Sequence, residues 1–277
     1  MSHVTDRIET AVRERPVLAF VCCTFAVTWG VWWPVAFGLV EAGPVERIGG
    51  FAPTIVGLVL TAVLTGKQGL RALGHRLVDW RAGLGWYLLA LAFTPVLLLL
   101  AVGGYQVLGG RLTLPIPDPP ILVIGFVYVL VTSVAGEEIG WRGFALPRLQ
   151  RSHSALTASV ALGAVWFLWP LPLFYMESDF HRFVPLELFA LQILGFSVLY
   201  TWLFNNTDGS LLFPHLFHTA NNFSFFVIPV LPMSPTDPTG PLWIGIGVLW
   251  VIVVGVVLVA GPRDLSRESA RVTCESS

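Results

Sequence analysis

Charge is what this chain has least of. Asp, Glu, Lys and Arg make up only 12% of its 277 residues, about half the ~25% of an ordinary soluble domain. Hydrophobic residues supply 55% and the mean hydropathy is +0.74. That balance excludes a solvated globular domain and indicates a membrane protein. A basic excess is missing too: the net charge is −1, so no electrostatic surface for nucleic acid is present. Cysteine is limited to Cys22, Cys23 and Cys274. An adjacent pair and a tail residue provide neither a disulfide framework nor a Cys-based metal site. The pattern of a cleavable leader is also lacking. MSHVTDRIETAVRERP mixes arginines with acids, and the apolar run from Val17 to about Val40 is too long for a signal core. No internal repeat and no soluble-domain stretch is evident.

What the chain does have is apolar runs of roughly 17–25 residues, the length that spans the hydrocarbon layer. Eight are predicted, at about 17–40, 49–66, 84–108, 120–138, 156–176, 186–204, 210–230 and 241–260. The expected fold class is all-α: a polytopic integral membrane protein of about eight transmembrane helices, with 1–277 as a single membrane domain. With the N-terminus in the cytoplasm, all but Arg47, Arg111 and Arg182 of the 16 basic residues fall on the cytoplasmic side. The positive-inside rule then places both termini in the cytoplasm.

Against this apolar background, GEEIGWRGF at 136–144 places two carboxylates at the end of a membrane run. A carboxylate in hydrocarbon costs roughly 2.5–3.5 kcal/mol on insertion scales, so something should need it. Glu138 and Arg142 are four apart, glutamate first, the favourable order for an ion pair on one helix. Glu137 points about 100° away and is expected to lack such a partner in its own helix, which makes it a candidate general base. Gly136 and Gly140 form a small-xxx-small pair that admits a neighbouring helix closely. The bland alternative is a set of charges snorkelling to the interface.

A second polar set lies in the seventh run. GSLLFPHLFHTANNF at 209–223 puts His215, His218 and Asn222 at i, i+3 and i+7, on one helical face. With a cytoplasmic start after the turn NNTDG, His218 lies roughly 12 Å deep at 1.5 Å per residue, and it could share a cavity with the glutamates. His218 and Asn222 are candidate donors to a developing oxyanion while Glu137 activates water. A polar helix–helix contact is the plain alternative. Zinc on His215, His218 and Glu137 is another option, weakened because no histidine is followed by glutamate and HExxH is absent.

EEIGWRGF resembles the EExxxR motif of the CPBP family (the ABI or Abi family), intramembrane proteases that include CAAX prenyl endopeptidases. HTANN resembles that family's HxxxN motif at His218 and Asn222, and WRGFALPRL looks like the usual continuation of the first motif. The resemblance covers roughly 120–230, the CAAX-protease-like core. It implies a membrane endopeptidase, a hydrolase, with Glu137 as base, Glu138 and Arg142 as structural support, and His218 with Asn222 as oxyanion donors. It also implies no nucleotide or organic cofactor. The expected partners are the lipid bilayer and a membrane-associated peptide or protein substrate. One motif departs. The family's FxxxH reads here as Trp166 and Pro170 within AVWFLWPLPLF. Proline brings no donor, acceptor or titratable group, and His215 is the nearby candidate substitute. A catalytically weakened relative acting as a binding or protective protein therefore stays open, as does a proton-coupled transporter using the buried Glu and His groups.

Overall fold

The computed structural model describes residues 10, 12–114, 117–132 and 134–266. The expectations for both termini, for Arg7, Arg267 and Arg271 and for Cys274 lie outside the described residues. The protein is an all-α integral membrane fold with no strand among the described residues. In chain order the helices are α1 (Pro16–Ala36), α2 (Pro44–Leu77), α3 (Leu84–Val107), α4 (Pro119–Thr132), α5 (Val134–Glu138), a π-helical stretch (Ile139–Ala145), α6 (Leu146–Leu149), α7 (Ala155–Leu168), α8 (Leu186–Asn206), α9 (Leu212–Val227) and α10 (Gly240–Ala260). Two 3₁₀ turns, Leu171–Tyr175 and Phe180–Phe183, link α7 to α8.

Seven spans among the described residues are long and apolar enough to cross a bilayer, with Pro119–Leu149 counted as one. The eighth apolar element, α9, has 16 residues, about 24 Å of helix at 1.5 Å per residue, against a hydrocarbon core of about 30 Å. It carries the polar HxxxN residues and packs against α3, α4, α5 and α8 inside the bundle. Helix α8 is the centre, with two thirds of its most apolar window buried. Every residue of α4 is at least partly exposed, as expected for a helix on the lipid side of the bundle.

Prolines place polar groups inside this apolar stack. Pro53 in α2 has no N–H for the carbonyl four residues back, at Gly49. That carbonyl takes the Thr28 hydroxyl at 2.9 Å, and the Thr28 oxygen accepts the Trp169 indole N–H at 2.7 Å. The Trp169 carbonyl in turn accepts the Trp29 indole at 3.0 Å. A backbone defect in α2 thus joins α1, α2 and the end of α7, satisfying buried polar groups with side chains.

Two loop contacts register the helices that carry the motifs. The turn NNTDG needs left-handed backbone at Asp208 (φ 51) and Gly209 (φ 73). The Gly209 carbonyl accepts Arg76 Nε at 2.7 Å, and the Leu211 N–H donates to the Arg76 carbonyl at 2.8 Å. The end of α2 thereby fixes where α9 starts. The segment after α10 crosses the start of α7. Its Pro262 and Arg263 carbonyls accept the Leu156 and Ala155 N–H groups at 3.0 and 2.7 Å, partners that a helix start otherwise lacks.

Candidate functional site

The EExxxR residues stand where α5 passes into the π-helical stretch, and α2 runs directly against them. A Cβ on Gly136 would lie 2.7 Å from the Gly50 carbonyl oxygen, one on Gly140 would overlap the Pro53 carbonyl oxygen, and one on Gly57 would lie 3.0 Å from the Gly140 Cα. The small-xxx-small pair therefore does what its spacing predicts: it lets two backbones touch. All seven residues of Ile139–Ala145 are buried. With the glycine face filled by α2, the glutamates and Arg142 are directed toward α7, α8 and α9. π-Helical turns recur at functional sites, where they shift the phase of side chains around the axis.

Glu138 and Arg142 are both fully buried and form the ion pair their spacing predicts, Nη1 to Oε1 at 3.0 Å. The same Oε1 accepts His218 Nδ1 at 2.8 Å, so Glu138 supports the histidine as well as the arginine. The Arg142 guanidinium carbon lies 4.4 Å from the Trp166 ring centre and 4.2 Å from that of Tyr200. Both rings also meet His218 edge-on at 5.7 Å. Cation–π contacts of this kind strengthen when water is excluded.

Glu137 differs from its neighbour. Its side chain keeps 13% of its exposure, whereas Glu138 keeps none. It is the more accessible of the two motif carboxylates. Its Oε1 lies 3.9 Å from His218 Nε2, beyond a direct hydrogen bond. Its Oε2 accepts the Trp166 indole N–H at 2.9 Å and the Trp141 indole N–H at 3.3 Å. As expected, Glu137 has no ion-pair partner in its own helix among the described residues, but it does have a neutral donor there. Trp141, four residues on, turns its indole edge onto the carboxylate. The i, i+4 spacing carried that signal, but tryptophan in an apolar run reads first as core.

His218 is placed between the two glutamates, one imidazole nitrogen toward each. Because Arg142 neutralises Glu138 as a carboxylate, His218 Nδ1 carries the proton of their bond. Nε2 then bears a proton only in the imidazolium form. Asn222 lies one turn further along α9, half-buried, its Oδ1 accepting the Asn221 amide at 3.4 Å. Asn221 is held in turn by the Thr94 hydroxyl on its own Oδ1, also at 3.4 Å. His215 lies one turn the other way, buried, and gives its Nδ1 proton to the Leu211 carbonyl at 2.6 Å. Pro170 is buried just past α7 and opens the 3₁₀ turn Leu171–Tyr175. Among the described residues, no group of three His, Cys, Asp or Glu side chains is spaced to hold a metal ion.

Packing thus brings together Glu137, Glu138, Arg142 and His218 and adds three aromatic residues that had been given no role: Trp141, Tyr200 and Trp166, the last at the Phe position of FxxxH. A partly exposed carboxylate beside an imidazole, with a second carboxylate buried behind that imidazole, is an arrangement suited to moving a proton from water and stabilising nearby negative charge.

Comparison with known proteins bears on the same stretch. The family described as type II CAAX prenyl endopeptidase Rce1-like matches residues 119–224, which include all of these motif residues. A protein of Methanococcus maripaludis named CAAX prenyl protease 2 is 26% identical over 236 residues, covering 77% of this chain and 84% of the relative. Both findings support the CPBP family.

Proposed function

From its place in the CPBP family, we propose that this multi-pass membrane protein is an endopeptidase that cleaves a membrane-associated peptide or protein near the cytoplasmic face, using water activated by Glu137. The observation that carries the reading is the contrast between the two carboxylates. Glu138 is sealed against Arg142 and His218 Nδ1, while Glu137 keeps 13% of its side-chain exposure and has Oε1 3.9 Å from His218 Nε2. In the proposed reaction Glu137 Oε1 takes a proton from water, and the resulting hydroxide adds to the substrate carbonyl carbon. The oxyanion so formed is stabilised by His218 Nε2–H and the Asn222 amide. The tetrahedral intermediate then expels the amine, which takes the proton from Glu137. His218 donates from Nε2 only as an imidazolium. In that form the Glu137, Glu138, Arg142 and His218 set carries no net charge, which suits a cluster buried in apolar surroundings.

The reading needs neither a metal nor an organic cofactor. A cytoplasmic site agrees with the positive-inside distribution of basic residues. A non-hydrolytic binding role is the second reading, favoured by Pro170 at the end of α7 where the family's FxxxH has its imidazole. Cleavage of a membrane-delivered peptide by purified protein decides between them. Glu137→Gln is nearly isosteric and should abolish cleavage while the protein stays folded. Cleavage that survives this substitution would refute Glu137 as the base, and a wild-type chain that cleaves nothing would favour the binding role.

A further inference from the structure

We propose that Trp166 is a positioning residue for Glu137: its indole N–H, with that of Trp141 as the weaker second donor, holds one carboxylate oxygen and thereby presents the other to the reaction. The inference deepens the endopeptidase reading and its kinetic consequence rests on it. Three observations carry it.

First, both indoles donate to the same atom. Glu137 Oε2 accepts Trp166 Nε1 at 2.9 Å and Trp141 Nε1 at 3.3 Å, while Oε1 is the oxygen nearer His218 Nε2. A carboxylate otherwise rotates readily about its terminal bond, whose rotamer well is broad. Two donors on one oxygen fix that rotation, and Oε1 is left to take the proton. Second, the two donors come from different elements. Trp141 belongs to the π-helical stretch that follows Glu137, whereas Trp166 belongs to α7, 29 residues away. The clamp therefore ties the carboxylate to the helix across the site. Third, the Trp166 ring is itself immobilised. It is 5% exposed, Arg142 lies over its face, and the edges of Tyr200 and His218 meet it at 5.5 and 5.7 Å. Arg142 is pinned by Glu138, so the orientation of one glutamate passes through the guanidinium and the indole to the other. A phenylalanine at 166 would keep the ring contacts but carry no N–H, so the donor is separable from the packing.

Trp166→Phe tests this with two readouts. For a hydrogen bond to a charged group, kcat should fall about 10–100-fold, and KM should stay within about two-fold, because the bond positions the base without holding substrate. Independently of cleavage, the infrared carboxylate bands of Glu137, isolated as the difference between a chain and its Glu137→Gln variant, should move when Trp166→Phe is added. Moved bands with reduced kcat and unchanged KM support the proposal. Unmoved bands overturn it, as does an unchanged kcat in an active enzyme. If the wild-type chain cleaves nothing, the endopeptidase reading and the kinetic role fail together, while the infrared bands still decide whether the bond exists. If Trp166→Phe does not fold, Trp141→Phe, which removes the other donor on the same oxygen, carries the infrared test.

Discussion

Arg142→Met should cost far more than the loss of one surface ion pair, and adding Glu138→Leu should recover part of that cost. Arg142 and Glu138 are both fully buried. Removing the guanidinium leaves the Glu138 carboxylate in the bundle interior with only His218 beside it. Breaking a buried pair from one side costs about 3–5 kcal/mol, because a charge stays behind without compensation. Arg142→Met also gives up the stacking on Trp166 and Tyr200, although methionine keeps part of the apolar contact. At 2–4 °C per kcal/mol, the unfolding midpoint in detergent should fall by roughly 6–20 °C. In the double variant no stranded charge remains, and replacing both partners by apolar residues is often close to neutral. One cost persists: His218 Nδ1 loses its acceptor, worth about 1–3 kcal/mol for a buried donor. The double variant should therefore be more stable than Arg142→Met alone, yet without cleavage activity, since nothing orients His218. Thermal unfolding followed by helical circular dichroism measures the first part and peptide cleavage the second. A double variant that loses the full sum of both single losses would refute the argument, because additivity means that the two groups do not interact.

Two further outcomes follow from the same geometry. Gly140→Val should prevent accumulation of folded protein, because even a first carbon at this position overlaps the Pro53 carbonyl oxygen of α2 and backbone cannot give way cheaply; a normally folded, monodisperse variant would contradict the close approach of the two helices. Pro170→His restores an imidazole one turn beyond Trp166, where the chain is already leaving α7, and should raise peptide cleavage by the otherwise unchanged protein; a rate equal to that of the wild-type chain would mean that the site does not use a group there.

The sequence alone determined whatever depends on composition or on spacing within one helix. The scarcity of charge and the lengths of the apolar runs were enough for an all-α membrane fold, because backbone polar groups in lipid must be satisfied by protein and a run of roughly 17–25 apolar residues does this as a helix. The Glu138–Arg142 pair followed from i, i+4 spacing, since neighbours on one helix meet wherever the rest of the chain goes; the spacing of Gly136 and Gly140 showed only that some helix could come close, and packing made it α2. Tertiary structure decided which oxygen meets which nitrogen. That His218 gives Nδ1 to Glu138 and turns Nε2 toward Glu137 depends on how α9 is registered by the Arg76 contacts to Gly209 and Leu211, a matter of packing between residues far apart in sequence. The role of Trp166 was hidden for the same reason. In the sequence it stands at the Phe position of FxxxH, where the motif asks for an apolar ring and gives no sign of a donor to a carboxylate. Only when α7 lies against the π-helical stretch does its N–H reach a carboxylate and its face cover an arginine.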